Sequence, residues 1–284
     1  MNFGLFASTS SGPVVHIAPG VVFTVFGIGI TNSVLYGWIA AVATCIIMIT
    51  VARRMTVHPK GGFIQYVEAA VDFLMNTING AFEDKEAARR YAPYFITLFF
   101  FILFNNWLSL IPIVGDGFSL HGSPLFRAFT GDLSATFAMG VITMLYVYRS
   151  SIRESGGFFK YINHFFVGTP KNPLYLLIGI LEMISDMARV ISLSLRLFLN
   201  VTIGEMVIAV FAYLGHFLAP VTALPFYMIE IFDYALQAYI FFILSTMYLA
   251  IVANEAFDHR EEQLAEGEDG QEVVGRLTPS AGEV

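Results

Sequence analysis

From Asn32 to Ala52 the chain is uncharged and largely apolar, and it then meets Arg53 and Arg54, with Lys60 close behind. About 20 apolar residues are what one crossing of a bilayer's hydrocarbon requires, so this is a first span, and the basic residues put its end in the cytoplasm. The N-terminus is then external. Residues 13–31 are also apolar, but Pro13, Pro19, Gly20, Gly27 and Gly29 interrupt them, which predicts an external arm and not a further span. From Phe63 to Phe82 the pattern changes. Phe63, Tyr66, Val67, Ala70, Leu74, Ile78 and Ala81 recur at helical spacing, while Gln65, Glu68, Asp72, Asn76, Asn79 and Glu83 fill the other face. A one-sided apolar stripe cannot meet lipid all round, which predicts an amphipathic helix at the cytoplasmic interface, followed there by Lys85, Arg89 and Arg90.

A Phe-rich span follows from Pro93 to Ile111 and is stopped by Pro112, Gly115 and Gly117. Its external loop carries Asp116, Arg127 and Asp132. A shorter span, Leu133 to Tyr148, returns the chain to Arg149, Arg153 and Lys160 on the cytoplasmic side. After the connector Gly168 to Pro173, Leu174 to Leu214 form one helical run. At about 1.5 Å per residue it reaches roughly 60 Å, about twice the hydrocarbon thickness, so it cannot stand upright. Gly215, Pro220 and Pro225 mark a turn, and a last over-long helix runs from Phe226 to His259. The pattern predicts an all-α integral membrane protein: about five transmembrane helices plus one interfacial amphipathic helix, the last two long and tilted as a hairpin. Residues 1–31 are the external arm, 32–259 the membrane domain, and 260–284 an acidic cytoplasmic tail without fixed structure.

Composition agrees with the pattern. Hydrophobic residues make up 56% of the chain and mean hydropathy is +0.69, beyond the range of soluble domains. The apolar runs are too long and unbroken for an outer-membrane barrel, whose strands alternate over roughly 10 residues. Net charge is −7, and residues 255–284, with nine acids and two arginines, account for all of it, so this tail repels nucleic acid and anionic lipid. Cys45 has no partner for a disulfide, and no cysteine-rich metal site is available. The six histidines, His16, His58, His121, His164, His216 and His259, fall in loops or at span ends, which excludes haem ligation inside the membrane. No charged segment with a cleavage site precedes Arg53, so no secretory signal is expected. Neither cofactor nor metal is called for.

The chemistry lies in the fourth apolar run. Arg196 sits deep within Ser192–Asn200, and an obligate cation there costs a few kcal/mol on insertion scales. Steps of about 100° per residue put Glu182, Ser185, Arg189, Ser192, Arg196 and Asn200 on one face of the helix. Glu182, Ser185, Asp186 and Arg189 read equally well as the solvated face of the helix end. Arg196 and Asn200, further in, do not. Glu205 points about 180° away from Arg196, and Glu230, Asp233, Tyr234 and Gln237 share a face of the last helix. In an antiparallel hairpin Glu205 and Glu230 fall at similar depth. Two carboxyls in a poorly solvated place do not both stay ionised, so one holds an exchangeable proton, although either alone reads as a hydrogen-bonded core acid.

Leu181 to Asn200, continuing through Gly204 and Glu205, resembles the long fifth helix of subunit a of F-type ATP synthase, whose pattern is S-x-x-x-R-L-F-x-N-x-x-x-G-E. Leu236 to Leu249, with Gln237 and Tyr248, is similar to that family's final helix. Ile30–Trp38 and Phe104–Pro112 resemble its earlier spans, so the likeness runs over residues 28–259. The resemblance implies a non-catalytic stator subunit of bacterial type, with two offset half-channels against a ring of c subunits. By matching positions Arg196 is the essential arginine facing the ring carboxylates. Asn200, Glu205, Glu230 and Gln237 line the outer path, and Glu182 belongs to the inner exit. Implied partners are the c-ring, the peripheral stalk b subunits and the rest of the complex in a bacterial plasma membrane. Leu199, where the family usually has Gly, and Ser109, where an acid is often found, depart from the pattern. The ion, H+ or Na+, is left open, because the ring sets it. A secondary transporter would need broken mid-membrane helices, and the runs bearing Arg196 and Glu230 lack them.

Overall fold

The computed structural model describes residues 21–25, 28–54, 62–111, 115–120, 123–126, 128–155, 157 and 173–277; side chains are described within these except at 21–30, 54, 115–126, 173–180, 182, 183, 186 and 259–277. Among the described residues six α-helices run α1 (Asn32–Arg54), α2 (Phe63–Ala81), α3 (Lys85–Ser109), α4 (Leu133–Glu154), α5 (Pro173–Gly215) and α6 (Ala219–Leu277). Two short antiparallel hairpins, β1–β2 (Val21–Val25 with Ile28–Thr31) and β3–β4 (Gly115–Leu120 with Ser123–Phe126), precede α1 and follow α3. The protein is an all-α multi-pass membrane protein, these hairpins being confined to its connections. By length and composition Asn32–Arg53, Lys85–Ser109 and Met187–Asp258 can cross a membrane, the last running through the turn between α5 and α6.

Several boundaries differ from the sequence reading. The second span begins at Lys85 and not at Pro93. The Asp84 side chain accepts a hydrogen bond from the Glu86 N–H (2.8 Å), which caps the helix two turns earlier and carries Pro93 inside it. The helix before the long hairpin reaches Glu154, so Arg149 and Arg153 ride on α4. The turn marked by Gly215, Pro220 and Pro225 is only His216–Leu218. His216 takes a positive φ of 44°, its Nδ1 lies 2.9 Å from the Tyr213 carbonyl, and α6 starts at Ala219. Pro220 sits in the first helical turn, where its missing N–H costs nothing, and Pro225 is absorbed within α6. At the other end α6 continues as helix to Leu277, where an unstructured tail was expected from 260. Extending a formed helix through Glu, Gln, Ala and Leu needs no new nucleus. The arm before Val21 and residues 278–284 lie outside the described residues.

Three polar ties fix alternating directions. Arg90 at the start of α3 pairs with Glu154 at the end of α4 (2.9 Å), and the Tyr91 hydroxyl donates to the same carboxylate (2.6 Å). Asn254 on α6 brackets the α2–α3 link, its amide donating to the Ala81 carbonyl and its Oδ1 accepting from the Glu83 N–H, both at 3.0 Å. At the opposite end the Trp107 indole N–H of α3 donates to the Ile231 carbonyl of α6 (3.1 Å). Between them α3 is the central post, packed on α1, α2 and α6 by Phe95, Phe99, Ile102, Phe241, Phe242 and their neighbours. The amphipathic α2 turns Val67, Leu74 and Ile78 onto this core and leaves Phe63, Tyr66 and Phe73 exposed. Helices α4 and α5 meet closely at Gly140, where a Cβ would collide with the Ser194 hydroxyl.

Candidate functional site

Helices α5 and α6 form one long antiparallel pair, locked at the tip by stacked Phe211 and Phe226 (3.8 Å between centroids) and by the Thr222 hydroxyl donating to the Phe211 carbonyl (2.9 Å). One side of this pair packs on α3 and α4. The other side of α5 is bare: Ile191, Leu195, Leu199 and Ile203 are all exposed, and Arg196 is exposed in their midst. Among the described residues Arg196 has no ion-pair partner. Arg189, two turns away, is occupied, its guanidinium lying 4.7 Å over the Tyr248 ring.

Two grooves meet at Arg196. One, of about 740 Å³, runs along the bare face of α5 from Ala188 to Ile203 with Arg196 near its middle, and its polar lining is Ser192, Arg196 and Asn200 on α5 and Asp233 and Gln237 on α6. The other, of about 370 Å³, extends away from the hairpin tip between Ser185, Arg189, Arg196 and Tyr248. Helical spacing explains the first. Steps of four from Ser192 keep Arg196 and Asn200 on one face, and Asp233 and Gln237 are likewise four apart.

Behind the first groove lies a buried polar cluster. The Glu230 carboxyl rests against Gly204, where a Cβ would overlap both of its oxygens, so the helices approach as closely as they do only because residue 204 has no side chain. Glu205, next in the chain, acts electrostatically on Tyr36 of α1 and Tyr234 of α6, and Glu230, Asp233 and Ser109 also neighbour Tyr234. The Tyr234 ring is fully buried against Ala128 and Val201. Among the described residues the buried Tyr36 and Tyr234 hydroxyls, Thr202 Oγ1, Glu230 Oε2, Gln237 Nε2 and the Asn106 amide find no hydrogen-bond partner. Each such orphan costs about 1–3 kcal/mol in a dry interior, so water among them would satisfy groups that the described side chains do not.

The structure thus gathers Arg196, Asn200 and Gln237 around one groove, and Glu205 and Glu230 around Tyr234 beside it. The Glu182 side chain lies outside the described residues. Leu199 is 47% exposed on the bare face, and Ser109, buried, donates to the Asn106 carbonyl at 2.7 Å. Tyr36, Asn106 and Thr202 escape a reading of single helices because three different elements supply them. The adjacent Asn105 and Asn106 within a Phe-rich span were the one visible signal.

Residues 34–250 match the family described as ATP synthase A chain. The chain belongs to the ATP synthase subunit a family. Among subunit a proteins, it is 32% identical to that of Chloroherpeton thalassium over 271 residues, covering 88% of this chain and 73% of the relative. It is 30% identical over 245 residues to one from Anaeromyxobacter sp. strain Fw109-5, covering 82% of this chain and 56% of that protein. It is 31% identical over 217 residues to one from Campylobacter jejuni, covering 75% and 86%. The chain thus spans little more than half the length of the Anaeromyxobacter subunit a.

Proposed function

We propose that this chain is the proton-translocating stator subunit of an F-type ATP synthase, forming two half-channels that meet a rotating ring of c subunits on either side of Arg196. The observation that carries this reading is Arg196 itself, exposed on an apolar helix face and shared by two grooves, one reaching Asn200 and Asp233 on the side of the hairpin tip and the other reaching Ser185 and Tyr248 away from it. An arginine cannot face lipid at that depth, so a partner carrying acids must cover the bare face of α5. A carboxylate that comes opposite Arg196 is favoured in its ionised form. It therefore gives up its proton to one groove before passing and takes one from the other afterwards. The fixed guanidinium also repels a proton moving straight between the grooves, because Coulomb repulsion is strong where the dielectric is low.

The first groove, with the Glu205–Glu230–Tyr234 cluster behind it, is the outer path, and the second is the cytoplasmic one. Arg53, Arg89, Arg90, Arg149 and Arg153 gather at the Glu154–Asn254 end of the bundle, which supports this orientation. In this reading the N-terminus is external, the end of α6 is cytoplasmic, and Glu182 belongs to the cytoplasmic path. The c-ring and the peripheral stalk b subunits are the partners in a bacterial plasma membrane. Single cysteines in a Cys45→Ser background test the two paths. Asn200→Cys is expected to react with an impermeant thiosulfonate added outside intact cells, and Ser185→Cys only with reagent added to inverted vesicles. Reaction of both from one side would overturn the arrangement.

A further inference from the structure

Asp233 is a carboxylate for which the foregoing mechanism has no use. It lines the Arg196 groove from α6, yet it also acts electrostatically on Glu230 and Tyr234 in the cluster behind, so it belongs to both compartments. Depth along the hairpin makes the position telling. Counting from the turn at His216–Leu218, Glu205 and Glu230 lie level, Arg196 lies about 12 Å further in, and Asp233 falls between, about 4.5 Å beyond Glu230. A 12 Å gap is too long for one hydrogen bond or one bridging water, whereas both shorter intervals are within reach of a side chain and a water. The charged and titratable groups facing Asp233 are Arg196 across the groove on α5, Glu230 and Tyr234 on its own helix, and Glu205 beyond Tyr234. Among the described residues α3 contributes the Ser109 hydroxyl, beside Tyr234, and α1 the Tyr36 hydroxyl, beside Glu205.

We infer that Asp233 is the terminal relay carboxyl of the outer path, handing protons from the Glu205–Glu230 pair to the acid that comes opposite Arg196. This rests on the stator reading above. In the first step protonated Glu230 gives its proton to the Asp233 carboxylate, leaving Glu230 ionised and Asp233 neutral. In the second, Asp233 gives that proton to the carboxylate of the partner helix and returns to its ionised form. Net charge is conserved in each step, and reversal of both carries protons outward.

The test uses the whole complex reconstituted in vesicles, with ATP-driven pumping and passive proton conduction measured over a pH series. Asp233→Asn is expected to lower both rates at least tenfold and to move the pH of half-maximal conduction. Asp233→Glu should restore them to within threefold, because it keeps the carboxyl. Retention of ring and catalytic head in the purified variants reports on assembly, and Asp233→Ser, which is smaller, must show the same loss as Asp233→Asn. Conduction by Asp233→Asn within twofold of the parent would overturn the relay, as would equal loss in Asp233→Asn and Asp233→Glu accompanied by loss of the ring. Arg196→Ala in the same series separates the two ideas. If it pumps normally the stator reading fails, whereas a dead Arg196→Ala beside a normal Asp233→Asn refutes the relay alone.

Discussion

Gly204 shows how much of the site depends on a single missing side chain. A methyl group there would strike the Glu230 carboxyl, and α5 and α6 are too well tied elsewhere to separate freely. Gly204→Ala is expected to cost about 1–3 kcal/mol of stability through overpacking. It should also displace Glu230 from Tyr234 and slow outer-side proton uptake about fivefold or more. Adding Glu230→Asp, one methylene shorter, should recover part of the rate. If the double variant is no faster than Gly204→Ala alone, flux measurements will have shown that the contact does not govern the path. The helical phase of Glu205 and Glu230 was enough to bring both to one depth, since a hairpin of two long helices leaves little freedom. Their meeting point was not legible. Tyr36 comes from α1, Ser109 from α3 and the wall beside Tyr234 from Ala128 in a loop, and no periodicity along one helix encodes contacts among four segments.

Among the elements, apolar runs locate every described helix but misjudge the ends wherever charge or proline looks like a boundary. Pro93 and Pro225 both lie inside helices, and Lys85, Arg89, Arg90, Arg149 and Arg153 extend helices past the apolar stretch. The reason is local: a cap at Asp84 and a partner for Arg90 on α4 stabilise turns that hydropathy alone would assign to loops. This staple gives a graded test. Glu154 is largely buried and accepts from both Arg90 and Tyr91, so Glu154→Ala leaves two donors unpaired and is expected to cost about 1–3 kcal/mol. Arg90 is 43% exposed and solvent screens it, so Arg90→Ala should cost less than about 1 kcal/mol. Unfolding of the two variants in detergent measures the difference, and equal losses would mean that the Tyr91 bond contributes nothing.

At the scale of the molecule, the bundle is finished on one side and unfinished on the other. Helices α2, α3 and α4 cover one flank of the α5–α6 hairpin, while the flank carrying Arg196 is an apolar surface with a cation at its centre. A lone sequence exposes this incompleteness only indirectly, as helices too long for the bilayer, because the surface proposed to cover it belongs to another chain. In the stator proposed above, Arg196 keeps two proton paths apart while letting an acid-bearing partner pass between them. The most direct measurement imposes a proton gradient on vesicles holding the complete complex and follows proton influx and ATP synthesis together. With Arg196→Ala, influx is expected to persist while ATP synthesis falls to background, because the barrier between the grooves is gone and the partner's acids are no longer discharged in order. ATP synthesis by Arg196→Ala close to that of the parent complex, at the same gradient, would contradict it.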